Sequence, residues 1–399
     1  MRIVWMSDFD LRGSGYMNLS VPLCSGLVGN GHIVKAVGLG YQGDEHFFPF
    51  TLLPANTVKE AVGITQNLYN TEGFDVLIVA LDIPLQERLI QVLSQIERQF
   101  AYVGIMPIEA DPLTFSWAMV LAQMDKALII SQFGADEANK IGVEAEHLQI
   151  GIDTTAWTIP DKEQKQQLRG AFGFEEDTFA ILTVADNQER KNLAAAFKMF
   201  AKFTQDDKDA RYVLVTREHN PVGWKLRDLA SEPDYNINDK LIIFERGLAF
   251  RDLWAIYAAC DLFLLPSKAE GLGLPILEAM AAGLPVMATD CTGMKELIEA
   301  GGGFQMEYNH VHRDPFGNGR RYWVDIDKGA ELLQDIYERR DKLEPIILGA
   351  REYIEGRQWE ITIEQLERAV QEAHKSHSAL VAANEADTTM NGVIAPAVA

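Results

Sequence analysis

One stretch does most to limit what this chain can become: residues 261–289, where two apolar runs enclose a glycine-bearing loop. The run Asp261 to Pro266 is continuously apolar rather than alternating, as a short buried parallel strand requires, and it ends at a Pro-Ser turn. A helix is expected just beyond it. Pro275 suits the first helical position, where a missing N–H costs nothing, and Gly283 suits the left-handed residue that closes a helix. Leu284 to Thr289 then reads as the next strand. The unit is strand, glycine loop, short helix, strand, and it dictates an α/β fold.

The loop also has a chemistry. Gly271 and Gly273 let the backbone approach a ligand closely, so the backbone of Gly271, Leu272, Gly273 and Leu274, with a helix dipole behind it, favours an anion such as a diphosphate. Glu270 in the loop and Glu278 about one helical turn inside would repel phosphates. Carboxylates accept hydrogen bonds and sugar hydroxyls donate them. A diphosphate gripped by backbone, with hydroxylated rings on either side, describes a nucleotide-sugar. The alternative is an ordinary strand-to-helix turn with solvated glutamates.

The segment Glu270 to Glu278 resembles the paired-glutamate signature of the retaining glycosyltransferases of family 4, the glycosyl transferases group 1. That resemblance implies the GT-B fold, two Rossmann-like domains facing each other across a cleft. It also implies that Glu270 contacts the transferred sugar and that Glu278 binds the ribose.

Length and charge agree with such an enzyme. At 399 residues two domains are the prior, with ample core for both. The chain has 36 Lys+Arg against 58 Asp+Glu, a net charge of −22, which argues against nucleic acid or an anionic membrane surface as main partner. Cys24, Cys260 and Cys291 lie far apart without metal spacing, as reduced core thiols do. No apolar run approaches a membrane span and the N-terminus enters a strand at once, so a cytoplasmic protein is expected.

Along the chain, Met1 to Met6, the loop Ser7 to Gly15, the helical spacing of Tyr16 to Val28 and the strand His32 to Gly38 form a βαβ unit, hence a parallel sheet. Gly13 and Gly15 either admit a substrate phosphate or sugar or form a simple tight turn; resemblance favours a loop facing the cleft. Asp8 and Asp10 match the Asp-x-Asp metal pattern of the other glycosyltransferase fold but stand in the wrong place for it, and Asp325 and Asp327 have less context still. His310 and His312 lack a third ligand. No metal site is expected.

Further strands are expected at 74–80, 101–106 and 125–131. Family members place a histidine in the loop after the second of these, and none stands here. Glu109 or Asp111 takes a polar role towards sugar or acceptor, or is a helix cap or solvated loop residue. The first domain is expected to span 1–155 and the second 156–357. The resemblance implies that a helix at about 358–375 crosses back onto the first domain, and 376–399 is expected to form a flexible tail.

The second domain opens with the strand Phe179 to Ala185, and Arg190 and Lys191 stand just ahead of the helix Leu193 to Phe203, well placed to neutralise a diphosphate. Resemblance matches Lys191 to the family's donor-phosphate lysine. An Arg often stands earlier in the family, where this chain has Ala185-Asp186-Asn187; Arg190 takes its part, and Asn187 is placed beside the donor. The resemblance implies that the loop at Gly247 faces the nucleotide base through backbone. Residues 301–324 read as a glycine-punctuated hairpin or ordered insertion.

The expectation is therefore a retaining transferase that uses a UDP- or GDP-sugar, needs no cofactor or metal, and has Glu270, Lys191 and Arg190 at its centre with an unknown hydroxyl acceptor. The rivals are a sugar-nucleotide epimerase, and a non-enzymatic partner subunit that retains the nucleotide pocket.

Overall fold

The computed structural model describes residues 1–10, 13–94, 98–109 and 111–391, with side chains described as far as Asn384. Two parallel sheets organise it. The first contains β1 (Arg2–Asp8), β2 (Ile33–Leu39), β3 (Thr51–Ala55), β4 (Val76–Ala80), β5 (Ala101–Met106), β6 (Lys126–Ile129) and β7 (Glu146–His147). Their spatial order is β3-β2-β1-β4-β5-β6-β7. The second contains β8 (Phe179–Val184), β9 (Ala210–Thr216), β10 (Leu241–Glu245), β11 (Leu262–Leu265), β12 (Val286–Thr289) and β13 (Phe304–Met306), in the order β10-β9-β8-β11-β12-β13.

Continuous apolar runs produce this arrangement because helices cover both faces of each sheet. Every residue of β4, β5, β11 and β12 is buried. The helix Gly15–Gly29, capped by the Ser14 hydroxyl, returns the chain from β1 to its parallel neighbour β2.

In each sheet the strand order reverses once, between β1 and β4 in the first and between β8 and β11 in the second. Ligands of open parallel sheets bind outside the carboxyl ends of the strands at such points. The loop carrying Gly13 follows β1, that carrying Arg190 and Lys191 follows β8, and that carrying Glu270 follows β11. These two architectures establish an α/β fold of two Rossmann-like domains.

A long helix, Trp359–Asn391, lies on the first domain. Its start is pressed against Gly151, where an added Cβ would stand 2.7 Å from the Trp359 Cα, so only glycine fits. Glu367 receives a hydrogen bond from His32 at 2.8 Å, and Lys126 reaches Glu372 at 3.0 Å. The expected end of order near residue 375 is corrected. His377 is buried, with Nδ1 3.1 Å from Asp125, and extends by one turn the buried stripe of Leu366, Val370 and Ala373. A polar residue supplies that turn, so apolar periodicity missed it. Residues 392–399 of the expected tail lie outside the described residues.

The expected hairpin at 301–324 divides. β13 joins the second sheet, while β14 (Tyr308–Arg313) and β15 (Arg320–Val324) form a separate antiparallel pair. Among the described residues no helix is long and apolar enough to cross a membrane. Cys24, Cys260 and Cys291 are free and buried.

Candidate functional site

The glycine loop after β11 is held from several sides. Lys268 donates its N–H to the Arg190 carbonyl at 2.9 Å, the Glu270 N–H meets the Thr292 hydroxyl at 2.9 Å, and Gly293 donates to the Glu270 carbonyl at 3.1 Å. Gly273, at φ +97°, turns the chain into the helix Leu274–Ala281. Pro275 is thus the second helical residue, one place later than expected and still in the first turn, where its missing N–H costs nothing. Gly271 has no room for a side chain, because a Cβ there would come within 2.3 Å of Pro107 in the first domain. Leu272 is buried, and Leu274 approaches Gly15 from across the cleft: a Cβ on that glycine would meet its Cδ1 at 3.6 Å.

Glu270 gathers both expected cations. Lys191 Nζ lies 2.6 Å from one carboxylate oxygen and Arg190 Nη1 2.8 Å from the other. Burial favours the neutral acid, but these two charges outweigh it and hold the carboxyl well below the usual carboxylate range. Arg190 also reaches across the cleft to Glu109 at 3.2 Å. Burial lowers the Lys191 ammonium despite its partner, and burial likewise raises Glu109 against the pull of Arg190 and Arg321.

Glu278 differs. Among the described residues its hydrogen-bond donor is the Tyr257 hydroxyl at 2.8 Å, and burial pushes its carboxyl up to about 7. A carboxyl with spare acceptor capacity, close to ionising at neutral pH, suits a hydroxyl donor better than a cation-filled one does.

On the first-domain side, Glu109 and Asp111 are neither helix caps nor solvated. Glu109 meets Arg321 at 3.2 Å, and Asp111 receives the Tyr322 hydroxyl and Arg320, whose backbone N–H also donates to the Asp111 carbonyl at 2.9 Å. Gly13 and Gly247 face each other, both with positive φ, and a Cβ on Gly13 would lie 3.7 Å from the Gly247 nitrogen. Arg246 closes this corner by donating to the Gly13 carbonyl at 3.2 Å and pairing with Asp10 at 3.1 Å.

One assignment is corrected. Asn187 does not present its side chain to the cleft. Its amide donates to the Trp224 carbonyl at 2.8 Å and accepts from the Trp224 N–H at 2.9 Å, so it fastens the 218–224 loop. The stretch 185–187 still supplies a charge, since Asp186 pairs with Arg217 at 2.8 Å.

Metal-like patterns find other work. Asp325 caps the helix Ile326–Glu338, Asp327 pairs with Lys202 at 2.8 Å, and His312 accepts from the Trp323 indole at 2.7 Å. Among the described residues no group of three His, Cys, Asp or Glu is placed to hold a metal ion.

Between the domains beside Arg190 lies a cavity of about 380 Å³, reaching Asp82, Glu109, Trp117, Asp314, Phe316 and Arg321. Sequence reasoning missed most of these residues. Their one signal was the glycine-punctuated turn at Gly317 and Gly319, followed by two arginines and two aromatics.

Two Rossmann-like domains across a cleft are the GT-B architecture, and the paired-glutamate loop lies in the second of them. Residues 164–313 match the family model described as "Glycosyl transferases group 1", so the second domain belongs to that family. Among curated proteins, the chain is 28% identical over 236 residues to a GDP-mannose-dependent monoacylated alpha-(1-6)-phosphatidylinositol monomannoside mannosyltransferase of Corynebacterium glutamicum. That alignment covers 57% of this chain and 56% of the relative, so the chain spans about half the length of the protein it matches. Sucrose-phosphate synthase from Thermosynechococcus elongatus has the same fold at a TM-score of 0.74, with 16% identity, 94% of this chain covered and 99% of that one. Anabaena HepE in complex with UDP-glucose superposes at a TM-score of 0.72, with 16% identity, 93% of this chain and 99% of that one covered.

Proposed function

We propose that the protein transfers a sugar from a nucleoside diphosphate sugar to a hydroxyl acceptor, with retention of anomeric configuration and without a metal ion. The observation that carries this reading is the convergence of Arg190 and Lys191 on Glu270 at the start of a helix, beside a second carboxyl, Glu278, whose acceptor capacity is largely free. Cations and backbone N–H groups there suit a diphosphate, Glu278 suits a ribose, and Glu270 suits the hydroxyls of the transferred sugar.

In this scheme Arg190, Lys191 and the backbone at 271–274 stabilise the charge on the departing nucleoside diphosphate, where the transition state most needs it. The bond from the sugar C1 to the phosphate oxygen breaks, and the acceptor oxygen bonds to C1 on the same face. The acceptor proton passes to the leaving phosphate oxygen. Glu270 positions and stabilises; already neutralised by two cations, it is poorly suited to act as a covalent nucleophile. The cross-cleft contacts Arg190–Glu109 and Arg246–Asp10 exclude water from the donor.

The named relative supports GDP-mannose as one donor to try and the solved neighbour supports UDP-glucose as another. The test is incubation of the protein with each nucleotide-sugar and a panel of hydroxyl acceptors in EDTA, following nucleoside diphosphate release and the anomeric proton of the product. Release that depends on acceptor, with the donor's configuration kept, is the expected result. Release abolished by EDTA, inverted product, or epimerised donor without release would overturn it.

A further inference from the structure

The interdomain cavity has the chemistry of a sugar site, and part of its wall comes from an unexpected place. The β14–β15 hairpin leaves the second domain and docks on Glu109, Asp111 and Trp117 of the first. Arg320 and Tyr322 bind Asp111, Arg321 binds Glu109, and the turn at Gly317 packs so tightly on Trp117 that a Cβ there would come within 2.5 Å of the indole. The base of the hairpin is fastened to the reaction loop, for Tyr322 donates its N–H to the Lys268 carbonyl at 2.9 Å and the Lys268 ammonium sits 3.3 Å above the Trp323 ring.

At the tip, Phe316 meets Trp117 edge to face, ring centroids 5.1 Å apart, and both line the cavity. Phe316 keeps 42% of its surface exposed, so the hairpin's docking does not use it up. Around these rings stand four carboxylates, Asp82, Glu109, Glu189 and Asp314, and the guanidinium groups of Arg190 and Arg321. A volume of about 380 Å³ falls in the range of small-molecule sites, about 300–1,000 Å³. An aromatic face for C–H groups, surrounded by carboxylates that accept from hydroxyls, fits a pyranose and fits an acyl chain or a simple alcohol poorly.

We propose that this cavity seats the acceptor, that the acceptor is a sugar ring, and that Phe316 of the second-domain hairpin is the specificity-determining platform on which it rests. The acceptor assignment rests on the transferase reading above. Through Arg190 the cavity adjoins Glu270, so a hydroxyl of the seated ring faces the proposed donor sugar.

The test measures binding, so it does not depend on turnover. Saturation-transfer NMR is recorded with the full chain and methyl α-glucopyranoside, α-mannopyranoside and α-galactopyranoside, with glycerol as the non-ring control, with and without GDP or UDP. At least one glycoside should bind and glycerol should not. Phe316→Ala should weaken that glycoside at least tenfold, Phe316→Tyr should restore it, and nucleotide signals in the same samples should be unchanged. A disaccharide that binds more tightly than the methyl glycoside marks a glycan end as acceptor, and equal binding marks a free sugar; either supports the site. No glycoside binding, equal binding of glycerol, or an unaffected Phe316→Ala variant overturns the proposal. Glycoside binding without nucleotide binding supports the sugar seat and sinks the donor reading instead.

Discussion

Two glutamates eight residues apart, one in the loop after β11 and one in the helix that follows, have opposite electrostatic fates. Glu270 faces the turn at Arg190 and Lys191 and is held ionised by both. Glu278, about one turn into the helix, has the Tyr257 hydroxyl as donor, and burial pushes it up to about 7. Burial acts on both in the same direction, so neighbouring charge decides the difference. The lesson is that one motif supplies a fixed charge and a titrating acceptor, suited to different parts of one donor.

The harshest way to break this contrast is Glu270→Gln. It leaves two half-buried cations without this carboxylate, so the denaturation midpoint should fall by part of the about 3–5 kcal/mol that breaking a fully buried pair costs. Transfer should fall by about 10² or more, the scale of a lost transition-state contact. Lys191→Ala is milder, because Arg190 still compensates Glu270. The fold should remain while transfer drops by about 1.5–3 kcal/mol of transition-state stabilisation, read in steady-state rates. Unchanged rates would remove Lys191 from the site.

Smaller still is Glu278→Ala, expected to weaken nucleotide-sugar binding by about tenfold in calorimetry, with about 1 kcal/mol of stability lost at pH 5 as the Tyr257 hydrogen bond goes. The smallest effect sharpens the titration itself. Because the folded carboxyl is raised from the ordinary glutamate range to about 7, the folded state binds the proton more tightly than the unfolded chain does. Its stabilising contribution is complete at low pH and is lost as pH rises through 7. Glu278→Gln should therefore match wild type in melting temperature near pH 4 and exceed it at pH 8. Nucleotide-sugar affinity of the wild type should rise between pH 6 and 8, since a ribose hydroxyl donates to the ionised form.

Much of the architecture was legible in the sequence because it depends on local pattern. Continuous apolar runs marked β4, β5, β8, β11 and β12, and Pro275 and Gly283 marked the two ends of a helix. The gathering of Arg190 and Lys191 at Glu270 was legible only in outline: both were placed near the diphosphate, but their pairing joins residues 79 and 80 positions apart. Contacts across the cleft left no trace. Glu109 and Asp111 stood between a polar role in the cleft and a cap or solvated loop because their partners, Arg320 to Tyr322, belong to a hairpin of the other domain. Asn187 misled for the opposite reason, since a polar residue near a phosphate turn is equally good at fastening a neighbouring loop. His377 hid a buried turn behind a polar side chain.

The central claim is a nucleotide-sugar site at residues 268–278, and thermal unfolding with GDP-mannose and UDP-glucose, on wild type and Glu278→Ala, tests it most directly. Saturation at about 100 times the dissociation constant adds about 2.7 kcal/mol to the stability of a protein that binds only when folded. The account predicts that one of these donors raises the wild-type melting temperature by several degrees and that, at the same concentration, Glu278→Ala shows a clearly smaller rise. Equal rises in both proteins, or none in either, would contradict it.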